Sequence, residues 1–258
     1  MTRIIAITNQ KGGVGKTTTS VNLAASLAAT RKRVLLVDLD PQGNSTMGSG
    51  VEKNQLASSI YDLLMREQPF DRVVLGNLQV GYDLIPSNED VTAAEVELIQ
   101  QPDREQRLRE SLTAVRDRYD FILIDCPPSL SMLTVNALAV ADGVIIPMQC
   151  EYYALEGLSS LLNTLDRIRQ KLNPPLQIDG LLRTMYDPRN SLTQEVSRQL
   201  HEHFGDRLLR TVIPRNVRLA EAPSHGLPVL LYDKNSKGAT AYLALAGELL
   251  RRLDDTGD

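Results

Sequence analysis

A glycine-rich segment between a strand-like run and a helix-like run is the feature that most limits how this chain folds. Residues 9–18 read Asn-Gln-Lys-Gly-Gly-Val-Gly-Lys-Thr-Thr, after the apolar run at 4–7 and before apolar residues at helical spacing in 20–28. Glycines let backbone N–H groups point toward an anion, and a helix N-terminus adds partial positive charge. The segment therefore predicts a strand–loop–helix unit that binds the phosphates of a nucleotide.

The segment is a variant of the Walker A motif. The strict pattern has a glycine five residues before Gly15, where this chain has Gln10, and a second lysine stands at Lys11. In such loops Lys16 reaches the β and γ phosphates and Thr17 ligates Mg²⁺. The alternative is a glycine turn with two solvated lysines, and the flanking strand and helix argue against it. The residues expected around the nucleotide are Gln10, Lys11, Gly12, Gly13, Val14, Gly15, Lys16, Thr17 and Thr18.

Length and composition favour one P-loop domain over residues 1–258. A chain of 258 residues with 42% hydrophobic residues can form one large core. Alternating apolar runs and helical segments predict an α/β fold with a mostly parallel twisted sheet and helices on both faces. A first strand near Arg3 leaves no room for a signal peptide, and we expect a cytoplasmic protein. Cys126 and Cys150 lack metal-binding spacing, so we expect them to be buried as small apolar residues.

Three acids follow buried strands predicted at 34–38 and 121–125. Carboxyl ends of parallel strands face the ligand in doubly wound sheets, so Asp38, Asp40 and Asp125 are expected near the phosphates. Asp125 matches a Walker B carboxylate that supports Mg²⁺. Asp40 is expected to orient water or Mg²⁺, whereas Asp38 has two open interpretations: the same role, or a structural cap or lysine partner.

The remaining pattern predicts further strands and helices of the same sheet. Strands are expected at 82–86, 143–148, 180–184 and 211–214. Helices are expected at 59–64, 93–99, 104–116, 131–140, 154–172 and 239–253.

Charge is unevenly distributed along the chain. The formal net charge is −4, yet residues 167–237 hold 12 Lys/Arg and 7 Asp/Glu, which is +5. The rest therefore holds 16 Lys/Arg and 25 Asp/Glu, which is −9. Such a segment can form a basic face on an acidic protein, although ordinary surface variation would give a similar count.

Five motifs together resemble the chromosomal ParA/Soj partition ATPases, a family with a deviant Walker A loop. They lie at 11–18, 37–44, 124–129, 149–157 and 213–226. The resemblance covers about residues 2–250, and the last two motifs are specific to this branch of P-loop proteins.

The resemblance implies an ATPase that segregates DNA with ATP and Mg²⁺. In such proteins ATP is sandwiched between two subunits, the homodimer binds DNA without sequence preference, and a ParB/Spo0J-type centromere-binding partner stimulates slow hydrolysis. Lys11 then matches the signature lysine that reaches the other subunit's phosphates, as an arginine finger does. Asp40 matches the acid that positions the attacking water. The loop around the adenine corresponds to Pro214, Arg215 and Asn216.

The resemblance also implies a DNA-binding face and a nucleoid-associated protein in the cytoplasm. The family's basic residues correspond to Arg189 and Arg218, with Lys234 and Lys237 as further candidates, all within the +5 segment. Contacts of this kind are to phosphates, so they ignore sequence and weaken with salt.

Three other functions share the loop. A MinD-type membrane ATPase needs a basic amphipathic C-terminal helix, and the acidic ending Asp-Asp-Thr-Gly-Asp at 254–258 argues against it. An iron–sulfur reductase of the nitrogenase type needs cysteines placed between subunits, where Cys126 is poorly placed. A metabolic P-loop enzyme remains an alternative without a recognisable substrate motif.

Overall fold

Seven parallel strands form one sheet in the computed structural model, which describes residues 2–255. Their spatial order is β3-β2-β4-β1-β5-β6-β7, so the first strand lies at the centre. The strands are β1 (Arg3–Ile7), β2 (Val34–Asp38), β3 (Asp83–Ile85), β4 (Phe121–Asp125), β5 (Gly143–Gln149), β6 (Gln177–Tyr186) and β7 (Leu208–Pro214).

Twelve α-helices accompany these strands in the described part of the chain. The first six are α1 (Lys16–Ala29), α2 (Asn44–Gly48), α3 (Ile60–Met65), α4 (Phe70–Val73), α5 (Val91–Glu97) and α6 (Arg107–Thr113). The others are α7 (Met132–Val140), α8 (Ala154–Lys171), α9 (Ser191–Phe204), α10 (Val217–Glu221), α11 (Val229–Tyr232) and α12 (Lys237–Asp255).

Burial on both faces explains why the strands are continuous apolar runs. In β1, Ile4 and Ala6 belong to one core and Ile5 and Ile7 to the other, because successive side chains point to opposite faces. Side chains of α3 to α9 fill the first core, whereas those of α1 and α10 to α12 fill the second. The predicted sheet with helices on both faces is confirmed, and all of its strand pairs are parallel.

The predicted strands are all present, but some helices differ from the prediction. α1 begins at Lys16, four residues before the segment 20–28 in which the sequence shows apolar residues at helical spacing. The first turn was not visible in that pattern because it consists of the polar residues Lys-Thr-Thr. The 14-residue helix α9 was not predicted, although Asn190 caps it by accepting a hydrogen bond from the Leu192 N–H. The helix predicted at 104–116 is shorter, since α6 covers only Arg107–Thr113.

The chain order places the glycine-rich loop at the carboxyl ends of the central strands. β1 lies between β4 and β5, and the chain turns to opposite sides of the sheet after β1 and after β4. Ligands of open α/β sheets bind at such a switch point. No helix among residues 2–255 is long and apolar enough to cross a membrane. Residues 256–258 of the acidic ending used against membrane binding lie outside the described part.

Helix α12 covers the free edge of the sheet at β7. The Glu248 carboxylate accepts hydrogen bonds from the backbone N–H groups of Arg210 and Thr211, both at 2.8 Å. Arg252 pairs with Glu248 and donates to the carbonyl oxygens of Asp206 and Leu208. An open strand edge invites pairing with another chain, so these contacts protect the monomer from edge-to-edge association.

We predict that Glu248→Ala lowers the free energy of unfolding by about 2 to 3 kcal/mol, because it leaves two backbone donors without their charged acceptor. Urea unfolding followed by circular dichroism measures this change, with Asp254→Ala on the same helix as the control. Equal unfolding midpoints for Glu248→Ala and the control would contradict the edge-sealing role.

Candidate functional site

The glycine-rich loop has the backbone shape that anion binding requires. Gly13 and Gly15 have φ of +74° and +87°, a left-handed conformation that glycine adopts without a steric cost. Gly15 is the N-cap of α1, whose first turn has no acidic residue and no side-chain cap. The N–H groups at this helix end are thus available to an anion.

The ends of β5 and β6 hold the loop in place. The Gln149 side-chain amide donates to the Gly13 carbonyl at 2.9 Å, and the Thr184 hydroxyl donates to the Val14 carbonyl at 2.8 Å. Neither residue was singled out from the sequence. Their positions at the carboxyl ends of strands were the signal that would have identified them.

Lys16 is a buried cation at the start of α1. Its ammonium group donates to the Lys11 carbonyl oxygen at 3.2 Å. Burial lowers the pKa of Lys16, and the nearby Asp125 carboxylate opposes this shift. Because a buried charge needs a counter-charge, an anion in the loop would stabilise the charged lysine.

Asp125 lies at the end of β4, fully buried beneath the loop. Its two oxygens accept hydrogen bonds from the hydroxyls of Ser20 at 2.8 Å and Ser45 at 2.7 Å, and Thr17 is also within reach. Burial raises the pKa of Asp125 to about 6, and these hydrogen bonds limit the rise. The structure thus brings together Thr17 and Asp125, the two predicted magnesium-supporting residues, although Ser20 and Ser45 were not anticipated.

Asp38 has the structural role that the sequence left open. It is fully buried, and its carboxylate accepts from the backbone N–H and the hydroxyl of Thr46, both at 2.8 Å, at the start of α2. No lysine pairs with it among the described residues. Burial, followed by the charge of Asp125 on the adjacent strand, raises the pKa of Asp38 to about 8.

Asp40 lies in the loop between β2 and α2 and is buried. Its carboxylate accepts from the backbone N–H of Gln42 at 3.0 Å, which leaves its second oxygen without a hydrogen bond among the described residues. Its backbone carbonyl accepts from the Ser87 hydroxyl at 2.7 Å. A fixed carboxylate with a free oxygen can accept a proton or orient a water molecule.

Lys11 is exposed and pairs with Glu151, just beyond β5, at 2.5 Å. Both side chains are about half exposed, so the pair contributes little to stability and can exchange partners. Gln10, Gly12 and Gly13 complete the outer side of the loop, and an added Cβ at either glycine would meet open space.

The segment 214–216 follows β7 on the same edge of the sheet. β7 is three strand spacings from β1, or roughly 14 Å. Arg215 is exposed, whereas the Asn216 Oδ1 is buried without a hydrogen-bond donor among residues 2–255. An orphaned buried acceptor is costly, so this oxygen fits a ligand that carries an N–H group.

The predicted DNA-binding residues lie on neighbouring segments after β6 and β7. Arg189 makes two side-chain hydrogen bonds to Asp187, and this pairing, with a smaller contribution from Arg215, lowers the pKa of Asp187 to about 2. Arg218 pairs with Glu221 at 2.8 Å and with Asp233 at 3.2 Å. The exposed Lys234 and Lys237 form no ion pair with a described residue. The basic segment is therefore partly neutralised by its own acids.

Both cysteines are free and buried, as predicted, and burial raises the pKa of each thiol. No group of three or more His, Cys, Asp or Glu side chains within residues 2–255 is arranged to hold a metal ion.

We predict that the ligand-free protein loses stability as the pH rises from about 4 to about 8. The native state keeps a proton on Asp38 that the unfolded state releases, so unfolding becomes easier as the pH increases. Asp38→Asn should flatten this slope in urea unfolding measured with EDTA present. Asp254→Asn is the control, and an unchanged slope in Asp38→Asn would contradict the prediction.

The comparison with known proteins agrees with the site. A family model described as an AAA domain matches residues 2–178. An uncharacterised protein of Pseudomonas putida is 65% identical over 98% of this chain and 96% of its own. The sporulation initiation inhibitor protein Soj of Bacillus subtilis is 53% identical over 96% of this chain and 98% of its own. The chromosome partitioning protein ParA of Caulobacter vibrioides is 51% identical over 98% and 96%.

Solved structures share the whole fold. One titled cobyrinic acid a,c-diamide synthase, from Mycobacterium smegmatis with bound ADP and magnesium, has a TM-score of 0.87, 36% identity, and coverage of 98% of this chain and 96% of its own. A putative plasmid partition protein of Borrelia burgdorferi bound to AMPPNP has a TM-score of 0.84, 29% identity, and coverage of 98% and 100%. The sequence relatives and the loop geometry lead to one conclusion: the chain belongs to the ParA/Soj family of chromosome-partitioning P-loop ATPases.

Proposed function

We propose that this chain acts over residues 1–258 as one ATP-dependent DNA-partitioning ATPase. Mg-ATP would drive a face-to-face dimer that binds DNA without sequence preference, and a ParB-type partner would stimulate hydrolysis and release. The observation that carries the proposal is the uncapped N-terminus of α1 with buried Lys16, above the Thr17–Asp125 pair and beside exposed Lys11.

The chain's own groups fit a nucleoside triphosphate. Free N–H groups of the loop and of α1 would bind the phosphates, and Lys16 would gain the counter-charge that its burial requires. The Asn216 oxygen, without a donor in the described structure, would accept a hydrogen bond from the adenine amino group. Pro214 and Arg215 would form the rest of that loop.

Thr17 and Asp125 would hold Mg²⁺, the first directly and the second through water. The ion would neutralise the charge that develops on the phosphates during transfer. Asp125 is suited to this task because Ser20 and Ser45 fix its two oxygens in place.

Asp40 would orient the attacking water and accept its proton. Its backbone is fixed by Ser87, which is the positioning that a catalytic carboxylate needs. In an isolated subunit no Lys11 of a second subunit reaches the phosphates. Hydrolysis by the monomer should therefore be slow.

The carboxyl edge of the sheet would form the dimer interface. Lys11 would leave Glu151 and reach the phosphates of the other subunit. Leu130, Tyr152 and Tyr153 follow β4 and β5 on this edge and are exposed, as side chains that a partner covers would be. Dimerisation would double the DNA-contacting surface and so raise its avidity.

Arg189, Arg218, Lys234 and Lys237 would contact DNA phosphates and bring the protein to the nucleoid. Phosphates would compete with Asp187, Glu221 and Asp233 for the two arginines, which favours weak binding by one subunit.

A membrane-positioning ATPase is the second candidate, since the Pyrococcus furiosus cell division ATPase MinD has a TM-score of 0.79 and 27% identity, with coverage of 97% of this chain and 99% of its own.

We expect salt-sensitive DNA binding with ATP, and little with ADP or without nucleotide. Fluorescence anisotropy of a labelled duplex at two salt concentrations measures it, and Lys16→Ala and Arg218→Ala should each abolish the ATP-dependent signal. Arg72→Ala, an exposed arginine of α4 outside the basic segment 167–237, is the matched control.

Two results would change the assignment. If the protein binds no DNA in any nucleotide state but binds liposomes in the presence of ATP, the membrane function replaces the DNA function. If Arg72→Ala weakens binding as much as Arg218→Ala, the assigned DNA face is wrong.

We expect Asp40→Asn to bind ATP and dimerise but to hydrolyse ATP at least a hundredfold more slowly, because it cannot accept the proton of the attacking water. Phosphate release measures hydrolysis, and light scattering after size-exclusion chromatography measures the dimer. Wild-type turnover by Asp40→Asn would remove Asp40 from the catalytic role.

A further inference from the structure

Helix α5 is apolar on two opposite faces. Val91, Ala94 and Leu98 form the inner face and are completely buried against the core. Val96 is 62% exposed and Ile99, just after the helix, is 57% exposed, and with Ala93 they form the outer face. Glu95 and Glu97 lie between the two faces. Because exposed apolar side chains that stand together on one face can mark an interaction site, the outer face is suited to a partner.

A cleft of about 350 Å³ lies beside this outer face, between α5 and the segment that leads into α3. Ala93 lines both the cleft and the outer face, while Leu56 and Tyr61 form the opposite wall. Within residues 2–255, the Asn88 Oδ1 is buried here without a hydrogen-bond donor. The cleft thus combines apolar side chains with serines, two carboxylates and the unpaired Asn88 oxygen, which suits a group that carries an N–H.

The charge around the cleft is mostly negative, although the Arg104 side chain donates to the Ile99 carbonyl and Asp103 is paired with Arg66 and Arg107. Residues 85–103 contain five acids (Glu89, Asp90, Glu95, Glu97 and Asp103) and no lysine or arginine. Asp62 and Asp90 also line the cleft. Complementary charge steers and orients partners, so an occupant should be positively charged around an apolar stripe.

We propose that the outer face of α5 and the adjoining cleft bind a basic amphipathic helix of another protein. Its apolar stripe would cover Val96 and Ile99, and an arginine or lysine would enter the cleft and donate to Asn88. Helix-in-groove recognition of this kind uses apolar anchors one turn apart with a charged rim.

The cleft is connected by hydrogen bonds to the loop that carries Asp40. Asn88 follows Ser87, whose hydroxyl donates to the Asp40 carbonyl at 2.7 Å. The Ser87 N–H donates to the Thr46 hydroxyl at 2.9 Å, and the Ile60 N–H at the start of α3 donates to the Pro86 carbonyl at 2.8 Å. Binding of the helix would therefore alter ATP hydrolysis. This second part of the inference rests on the proposed function.

The probe is an 18-residue labelled helix with leucine on one face and arginine on the other, measured with the full chain by fluorescence anisotropy. Val96→Ser/Ile99→Ser and Glu89→Lys/Glu95→Lys should each weaken binding at least tenfold. Leu192→Ser and Asp254→Lys are the matched controls, because they change one exposed apolar residue and one exposed acid elsewhere. The same peptide with glutamate in place of arginine should not bind.

Equal affinities for the wild type and both α5 variants, or no binding to the wild type, would overturn the proposal. A smaller oligomer in Val96→Ser/Ile99→Ser would also overturn it, since a second copy would then cover the face. The connection to Asp40 is supported if the peptide changes ATP hydrolysis by the wild type but not by the variant, and is overturned if bound peptide leaves hydrolysis unchanged. A wild type that binds the peptide without hydrolysing ATP would instead contradict the proposed function.

Discussion

A buried carboxylate, Asp125, connects the parts of the nucleotide face. It stands at the end of β4, next to the central strand β1, where Ser20 of α1 and Ser45 of α2 donate to its two oxygens. A buried charge without such partners would be neutralised or would destabilise the fold. Because the same carboxylate lies near Lys16 and Thr17, its position fixes the loop, the helix behind the loop and the start of α2 relative to one another.

The remaining functional groups depend on the direction of the strands. All seven are parallel, so their carboxyl ends meet at one edge, and Lys11, Asp40, Asn216 and Arg189 follow different strands there. One edge can thus hold a nucleotide, a subunit interface and a basic surface. Glu248 and Arg252 cover the lateral edge of the sheet at β7, which is not the edge formed by the carboxyl ends of the strands. The carboxyl edge therefore stays available for function.

Much of this arrangement was predictable from local sequence. The strands were correct because buried parallel strands are continuous apolar runs, and the loop was found because Gly-Lys-Thr follows such a run. Helix α9 was missed because few of its residues are apolar, although Val196 and Leu200 recur at helical spacing. The helix predicted at 93–99 gave no sign of an exposed apolar face. Gln149 and Glu151 lie in the family motif at 149–157 without an assigned role, and Thr184 was missed, because all three contact the loop from 136 to 170 residues away.

The sequence by itself determined the fold class, the phosphate-binding loop and the acids at strand ends, since each follows from short patterns that act within one element. Only the tertiary structure decided what those acids do. It showed Asp38 capping α2, Asp125 held by two serines, and the arginines after β6 and β7 paired with their own acids. These roles depend on burial and on side chains brought together across strands, and neither property is visible in a local pattern.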